Sequence, residues 1–342
     1  MNVSRITGAL LLLTTTACAN NAVTAVPQSS AALRSSEESL SRSPVPLHYR
    51  VKGPIVTTLR EKAKSPVLFV TDAGTGEAYM FDLATLSLAG TITGFVQPQG
   101  ACADSKGNVW IADTAAQTIY EVSHVGRLEN EFTEESYPVS CAVDPTTGDL
   151  AVTNQFGPKG GHGDIAIYKN GAYSIAYFSK NMYYYNFAGY DANGNLFIDG
   201  RTTHGVFALM ELFEGAKQLN LLKVSGGTIY FPGMVQWNAS AQDLIVGDQS
   251  CRNAYASRLY TLTIGSGSAK IAATISLKNS SGGTVCDLVQ GYVYDGKLFG
   301  SDFDFCGSLA SATYAWSYPA GGAPTLSNAT ADTAPIGATV SP

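Results

Sequence analysis

The sequence predicts an all-β chain folded as a six-bladed β-propeller, with the C-terminal strand joining the first blade to close the ring. Three observations predict it: a repeat of blade length, turn chemistry placed inside each repeat, and a repeat element missing at one end and present at the other. The first repeated element is a short apolar strand ending in Asp or Asn. It occurs as Val67-Leu-Phe-Val-Thr-Asp72, Val109-Trp-Ile-Ala-Asp113, Leu150-Ala-Val-Thr-Asn154, Leu196-Phe-Ile-Asp199, Leu244-Ile-Val-Gly-Asp248 and Leu298-Phe-Gly-Ser-Asp302. Successive ends lie 41, 41, 45, 49 and 54 positions apart, enough for four short strands each.

A second element precedes the first. It reads Pro98-Gln-Gly-Ala-Cys-Ala-Asp104, Pro138-Val-Ser-Cys-Ala-Val-Asp144 and Tyr185-Asn-Phe-Ala-Gly-Tyr-Asp191, with weaker copies ending at Asn238 and Asp295. Between the two elements stand turn residues such as Asn193-Gly194 and Asp295-Gly296, which accept positive φ and mark hairpins. A third element carries an aromatic residue: Tyr79, Tyr120, Tyr168, Tyr260 and Trp316. A fourth is less regular, as in Arg127-Leu-Glu-Asn-Glu-Phe132. No copy of the second element stands before Val67. One stands at the far end instead, as Pro335-Ile-Gly-Ala-Thr-Val-Ser341. The last ten residues are therefore expected to be structural, forming the innermost strand of the first blade and removing an exposed edge.

The remaining chain organises around that domain. Met1 to Ala17 hold one Arg, an apolar run over Ile6 to Leu13 and small residues, the pattern of a secretory signal. The run is too short to span a bilayer. Cys18 follows Thr16-Ala17, where a bacterial lipoprotein keeps its lipidated cysteine, although Thr15 stands where a lipobox usually has Leu. Residues 18–60 read as a Ser-, Ala- and Pro-rich tether, and residues 61–342 as the propeller. The expected location is outside the cytoplasm: a membrane-anchored lipoprotein in the periplasm or at the cell surface, or a secreted protein. A net charge of −6 excludes a broad nucleic-acid-binding face. The chain is expected to be monomeric and to touch membrane through its lipid anchor only.

Ile111-Ala-Asp113-Thr114 followed by Ile119-Tyr120 resembles the NHL repeat, with residues 98–132 the best copy. Pro232-Gly233, Val235-Gln236-Trp237, Val246-Gly-Asp-Gln249 and Tyr318-Pro-Ala-Gly-Gly322 resemble secreted bacterial propeller proteins labelled NHL-like or gluconolactonase-like. That resemblance implies the fold over about residues 65–342. It also implies an alternative function, a metal-dependent lactonase-like hydrolase. Gluconolactonase-like propellers carry a metal-binding Glu in a Glu-Gly-Pro near the first blade, and this chain has no Glu-Gly-Pro. No metal ligands are therefore carried over. A Ca²⁺ site built from Asp and carbonyl oxygens is the remaining cofactor expectation.

No nucleophile elbow, phosphate-binding loop or dinucleotide fingerprint is present, and no catalytic residues are assigned. The main expectation is a binding or scaffold module for a peptide, glycan or protein partner. The strand-end set (Asp72, Asp113, Asn154, Asp199, Asp248, Asp302) and the hairpin set (Asp104, Asp144, Asp191, Asn238, Asp295) both read as Asx-turns rather than as a cation-binding ring. His162, Arg201, His204, Arg252 and Tyr255 fall in equivalent loops on one face. Tyr183, Tyr184 and Tyr230 fall in the inter-blade connections of that face, where tyrosines suit sugars or peptides and also serve blade packing. Together these eight residues are the expected ligand-binding face. Among the cysteines, a Cys251–Cys306 disulfide is the first expectation. A Cys102–Cys141 bond is also open, since the two sit at opposite parity on neighbouring strands, and Cys286 is left over.

Overall fold

The computed structural model describes residues 52–60, 66–249, 256–303, 311–329 and 333–342. Cys18, Cys251, Arg252, Tyr255 and Cys306 lie outside the described residues.

The strands come in six groups along the chain. The first holds β1 (Val56–Leu59), β2 (Val67–Asp72), β3 (Glu77–Asp82) and β4 (Leu88–Thr93). The second holds β5 (Pro98–Ala103), β6 (Val109–Asp113), β7 (Thr118–Val122) and β8 (Leu128–Thr133). The third holds β9 (Tyr137–Val143), β10 (Leu150–Phe156), β11 (His162–Lys169) and β12 (Ala172–Tyr177). The fourth holds β13 (Tyr184–Tyr190), β14 (Leu196–Arg201), β15 (Phe207–Leu212) and β16 (Asn220–Ser225). The fifth holds β17 (Pro232–Asn238), β18 (Asp243–Asp248), β19 (Arg258–Gly265) and β20 (Ser268–Ser276). The sixth holds β21 (Gly291–Tyr294), β22 (Lys297–Asp302), β23 (Ala312–Ser317) and β24 (Leu326–Asn328), and the chain ends in β25 (Pro335–Ser341).

From β2 to β4 in the first group, and throughout each of the others, consecutive strands pair antiparallel across connections of two to nine residues. The turn between β21 and β22 shows the requirement plainly: Asp295 and Gly296 both adopt positive φ, at 47° and 69°. Units four and five merge into one eight-stranded sheet through a parallel pair between their outer strands, β16 and β20.

The innermost strands pack in sequence, β25 on β5, β5 on β9, β9 on β13, β13 on β17, β17 on β21, and β21 back on β25. This closed ring of twisted sheets around a central axis is a β-propeller. Its closure is non-local. β25 pairs antiparallel with β2, from Val67 opposite Ser341 to Asp72 opposite Pro335, so the first unit takes its innermost strand from the C-terminus. β1 adds a fifth strand on the outside of β4.

Burial follows position in the unit. The second strands β2, β6, β10, β14, β18 and β22 lie between strands on both edges and between neighbouring sheets. All but Asp243 and Lys297, at two strand starts, are buried. The outer strands β8, β12, β16 and β20 are mostly exposed. The third-strand aromatics Tyr79, Tyr120, Tyr168, Tyr260 and Trp316 are buried, with Tyr120 and Trp316 fully enclosed between sheets.

The inner strands have one free edge each, facing the axis. Two glutamine side chains satisfy part of it. The Gln290 amide donates to the Ala101 carbonyl at 2.9 Å and accepts from the Ala101 N–H at 3.0 Å. Gln236 does the same to Val293, at 2.8 Å in both directions. Each amide mimics a strand partner, one donor and one acceptor in plane. Because Gln290 belongs to the sixth unit and Ala101 to the second, this bridge ties together the two units that flank β25.

Candidate functional site

The antiparallel order places two kinds of loop at the face where the second strands end. One kind joins the second strand to the third. The other joins the outer strand of one unit to the inner strand of the next.

The strand-end carboxylates organise that face. Asp113 Oδ2 accepts the Val96 N–H at 2.7 Å, and Oδ1 accepts the Gln97 N–H at 2.8 Å. Asp248 accepts from Tyr230 and Phe231, both at 3.0 Å. Asp302 accepts from Cys286 and Asp287. Asp72 accepts from Thr333 at 2.7 Å and Ala334 at 3.0 Å. In each case the donors are the residues entering the innermost strand of the same unit. Asp199 accepts from Phe187 in its own inner strand and from Gly233 in the next. The expected Asx-turn is thus corrected. Asp72 does cap its own turn through Gly74 and Thr75, and Asp113 its own through Ala116, but the shared role is to clamp an incoming strand whose first N–H groups face no other strand. Burial holds the carboxyls of Asp72 and Asp113 above their ordinary range. It pushes Asp199 well above, against the pull of its two N–H donors and Arg201. The hairpin set keeps the Asx role: Asp104 caps Lys106 and Asn108, Asp144 caps Thr146, and Asp191 caps Asn193 and Asn195.

The third unit departs from this pattern because Asn154 has no charge. Its amide donates to Asp164 at 2.8 Å and to Glu134 at 3.4 Å, and the Tyr168 hydroxyl also donates to Glu134. Burial raises both carboxyls.

Five residues from four chain segments form a continuous strip above these clamps. The His162 ring lies 4.3 Å from that of Tyr183, and Tyr183 lies 4.7 Å from Tyr184. The Arg201 guanidinium sits 5.2 Å from the Tyr184 ring and 5.7 Å from Phe231. Arg201 is buried, so its charge acts between two ring faces in a dry setting where such contacts are strongest. Tyr230, next to Phe231, is exposed. His162 opens β11 opposite Phe156, where Gly157 and Gly163 admit a close backbone approach.

The structure therefore places His162, Tyr183, Tyr184 and Arg201 together, with Tyr230 at the margin. His204 is exposed on the neighbouring loop and meets its own Thr203 hydroxyl at 3.3 Å. Phe231, named in the sequence only as part of a connection, contributes a ring to the strip. Two other connection residues pack inward: Met182 and Tyr185 are fully buried, and the Tyr185 hydroxyl accepts the Ser179 N–H. Among the described residues no group of three or more His, Cys, Asp or Glu is arranged to hold a metal ion.

Cys102 and Cys141 are joined by a disulfide with Cα atoms 5.5 Å apart, linking the inner strands of the second and third units. Cys286 is also disulfide-bonded, so the expectation that it is left over is corrected. The expected Cys251–Cys306 pair lies outside the described residues.

No protein-family model and no curated protein sequence matches the chain. Solved structures do match. A chain of a nidogen/laminin complex superposes with a TM-score of 0.62 at 14% identity, covering 81% of this chain and 99% of that one. A Bacteroides caccae protein of unknown function gives 0.59 at 13%, covering 81% and 99%. A catalytically inactive virginiamycin B lyase from Staphylococcus aureus, with quinupristin, gives 0.53 at 13%, covering 82% and 92%. At these identities the likeness is one of fold, and it agrees with the strand topology: the chain is a β-propeller protein.

Proposed function

We propose that this protein is a six-bladed, NHL-like propeller, exported and anchored through Cys18, that acts as a binding or scaffold module for a peptide, glycan or protein partner. The partner rests on the strip His162, Tyr183, Tyr184, Arg201 and Phe231. The observation that carries this reading is the strip itself: four separate segments converge to present rings around a buried cation. Rings offer apolar area with a hydroxyl at the edge, which suits peptides and sugars. The His162 ring meets the Tyr183 ring at 4.3 Å, a contact that extends the aromatic surface a ligand would meet. Six four-stranded units support the blade number, and the Ala112-Asp113-Thr114 strand end supports the NHL likeness.

The test is a screen of peptide and glycan arrays with the full mature domain, repeated with Tyr183→Ala and His162→Ala. Both side chains lie on the surface of the strip, so melting should not change. A hit weakened at least tenfold by both substitutions supports the proposal. Hits indifferent to both refute the site. A stoichiometric divalent ion in the purified protein, with a melt lowered by chelator, would replace this reading with the lactonase-like one.

A further inference from the structure

The opposite mouth of the channel is a separate site, independent of the loop-face strip. Here the inner strands end and turn back into the second strands. Gln290 lines the inner part of this mouth, a cup of about 520 Å³, within the range of small-molecule sites.

Six equivalent positions line its wall, one per unit, each just before the turn that ends the inner strand. They are Val340, Ala103 and Val143 in units one to three, then Tyr190, Trp237 and Tyr294 in units four to six. The cup is therefore two-sided: one half is small and aliphatic, the other aromatic. The Trp237 indole is held in place by stacking on Phe197, with ring planes 7° apart and centroids 5.9 Å apart. A wall of this kind takes one flat face of a ring-shaped ligand and leaves the other half as volume to fill.

The charges at the rim do not ask for an ion. Asp104 accepts from the Lys106 and Asn108 N–H groups and from the Asn108 amide, each at 2.9 Å. Asp144 accepts from the Thr146 N–H and hydroxyl, at 2.8 and 2.7 Å. Both carboxylates are committed to their own turns. The Gln236 and Gln290 amides are committed to backbone. The lining thus combines apolar ring faces with tyrosine and threonine hydroxyls, and its acidic groups are already paired.

We infer that this cup is a binding site for the end of a neutral saccharide, whose C–H face lies against Tyr190, Trp237 and Tyr294 and whose hydroxyls meet the polar rim. A sugar matches both halves of the lining: its ring face is apolar and its edge is hydroxylated. A charged ligand would find only Lys106 unspent among the charged side chains of the wall.

The experiment titrates neutral oligosaccharides (gluco-, xylo-, manno- and N-acetylglucosamine series) into the mature domain, reading tryptophan fluorescence and heat. Trp110 and Trp316 are buried, so a change reports Trp237. The expected result is a saturable change with at least one series, weakened at least tenfold by Tyr294→Ala. Thr147→Trp, a substitution at the exposed rim that fills the mouth without entering the core, should abolish it while the melt stays unchanged. Tyr183→Ala on the opposite face should leave it intact, which separates this site from the loop-face strip. No saturable change with any series, or binding that survives both cup variants, overturns the assignment. Binding of an aromatic dipeptide with every saccharide silent overturns it as well.

Discussion

Gly337 sets the spacing between the first and second units, and replacing it by alanine tests how the ring is closed. A Cβ at this position would land on the Gln99 carbonyl oxygen, inside van der Waals contact, with Thr71 Oγ1 at 2.5 Å and the Gly100 Cα at 3.0 Å. Two of these three are backbone and cannot swing aside. The third is the hydroxyl that accepts the Gly337 N–H at 2.8 Å and donates to Gln99, tying β25 to β5. Overpacking of this kind costs about 1–3 kcal/mol. The φ of Gly337 is one that alanine can adopt, so the substitution recovers about 0.4–1 kcal/mol from the unfolded chain. The net expectation is a loss of about 1–2 kcal/mol, or roughly 2–4 °C in melting temperature for a domain of this size. Gly161→Ala is the matched control. Its φ is −74°, and the nearest atom to a new Cβ is the Pro158 oxygen at 3.6 Å, ordinary contact. That variant should gain about 0.4–1 kcal/mol. Differential scanning calorimetry of the two, side by side, decides the matter. A Gly337→Ala protein that melts at or above Gly161→Ala would refute the close approach of β25 to β5 and, with it, the account of closure.

Two further outcomes are expected. Replacing Cys102 and Cys141 by serine releases a loop closed over a sequence separation of 39, for which the chain-entropy model gives about 4 kcal/mol. The melt should fall by roughly 7 °C, and a fall of only a degree or two would show that the staple adds nothing to ring closure. The second concerns pH. Burial raises the carboxyls of Asp72, Asp113, Asp199 and Asp287 above their ordinary value of 3.8, so between that value and the raised one the folded state binds more protons than the unfolded. Their contribution is complete below about pH 4 and is lost as pH rises through the folded values. His124, held below its ordinary 6.5 by burial, acts in the opposite sense as pH falls. With Glu121, Glu134, Asp164 and Glu211 raised in the same sense, eight carboxyls against one imidazole predict a higher melt near about pH 5 than near about pH 8. Asp287→Asn removes a carboxyl with a buried, unpaired Oδ1. It should raise the melt at the alkaline end and flatten the profile, and a lowered melt there would contradict the assignment.

The repeat made the architecture legible because it is written in local chemistry. Apolar runs of strand length, Asp-Gly and Asn-Gly turns and a displaced Pro335-to-Ser341 copy specify hairpins, their order and the closure by β25. Backbone hydrogen bonding and turn sterics then leave little choice. The loop-face strip was partly legible for the same reason, since loop membership follows from strand order. That placed His162, Tyr183, Tyr184 and Arg201 on one face, but not Phe231 in contact with Arg201, because ring contacts depend on side-chain direction across two connections.

Three features needed the tertiary structure. The strand-end Asp residues look like turn formers, and only the position of the incoming inner strand shows that their oxygens clamp it. Cys102 and Cys141 sit at opposite parity, which permits a bond or forbids it according to which faces of β5 and β9 meet. The saccharide cup had a signal in the sequence, the aromatic residue before Asp191, Asn238 and Asp295 against Ala103, Val143 and Val340 elsewhere. Its meaning appears only when six positions spread from Ala103 to Val340 along the chain close around one axis. By itself the sequence determined the strands, their turns and their circular order, all set by short-range hydrogen bonding and apolar pattern. Which side chains face the axis, which face a neighbouring unit and how far apart they stand were decided by the packing of the six units against one another, an interaction that no single repeat contains.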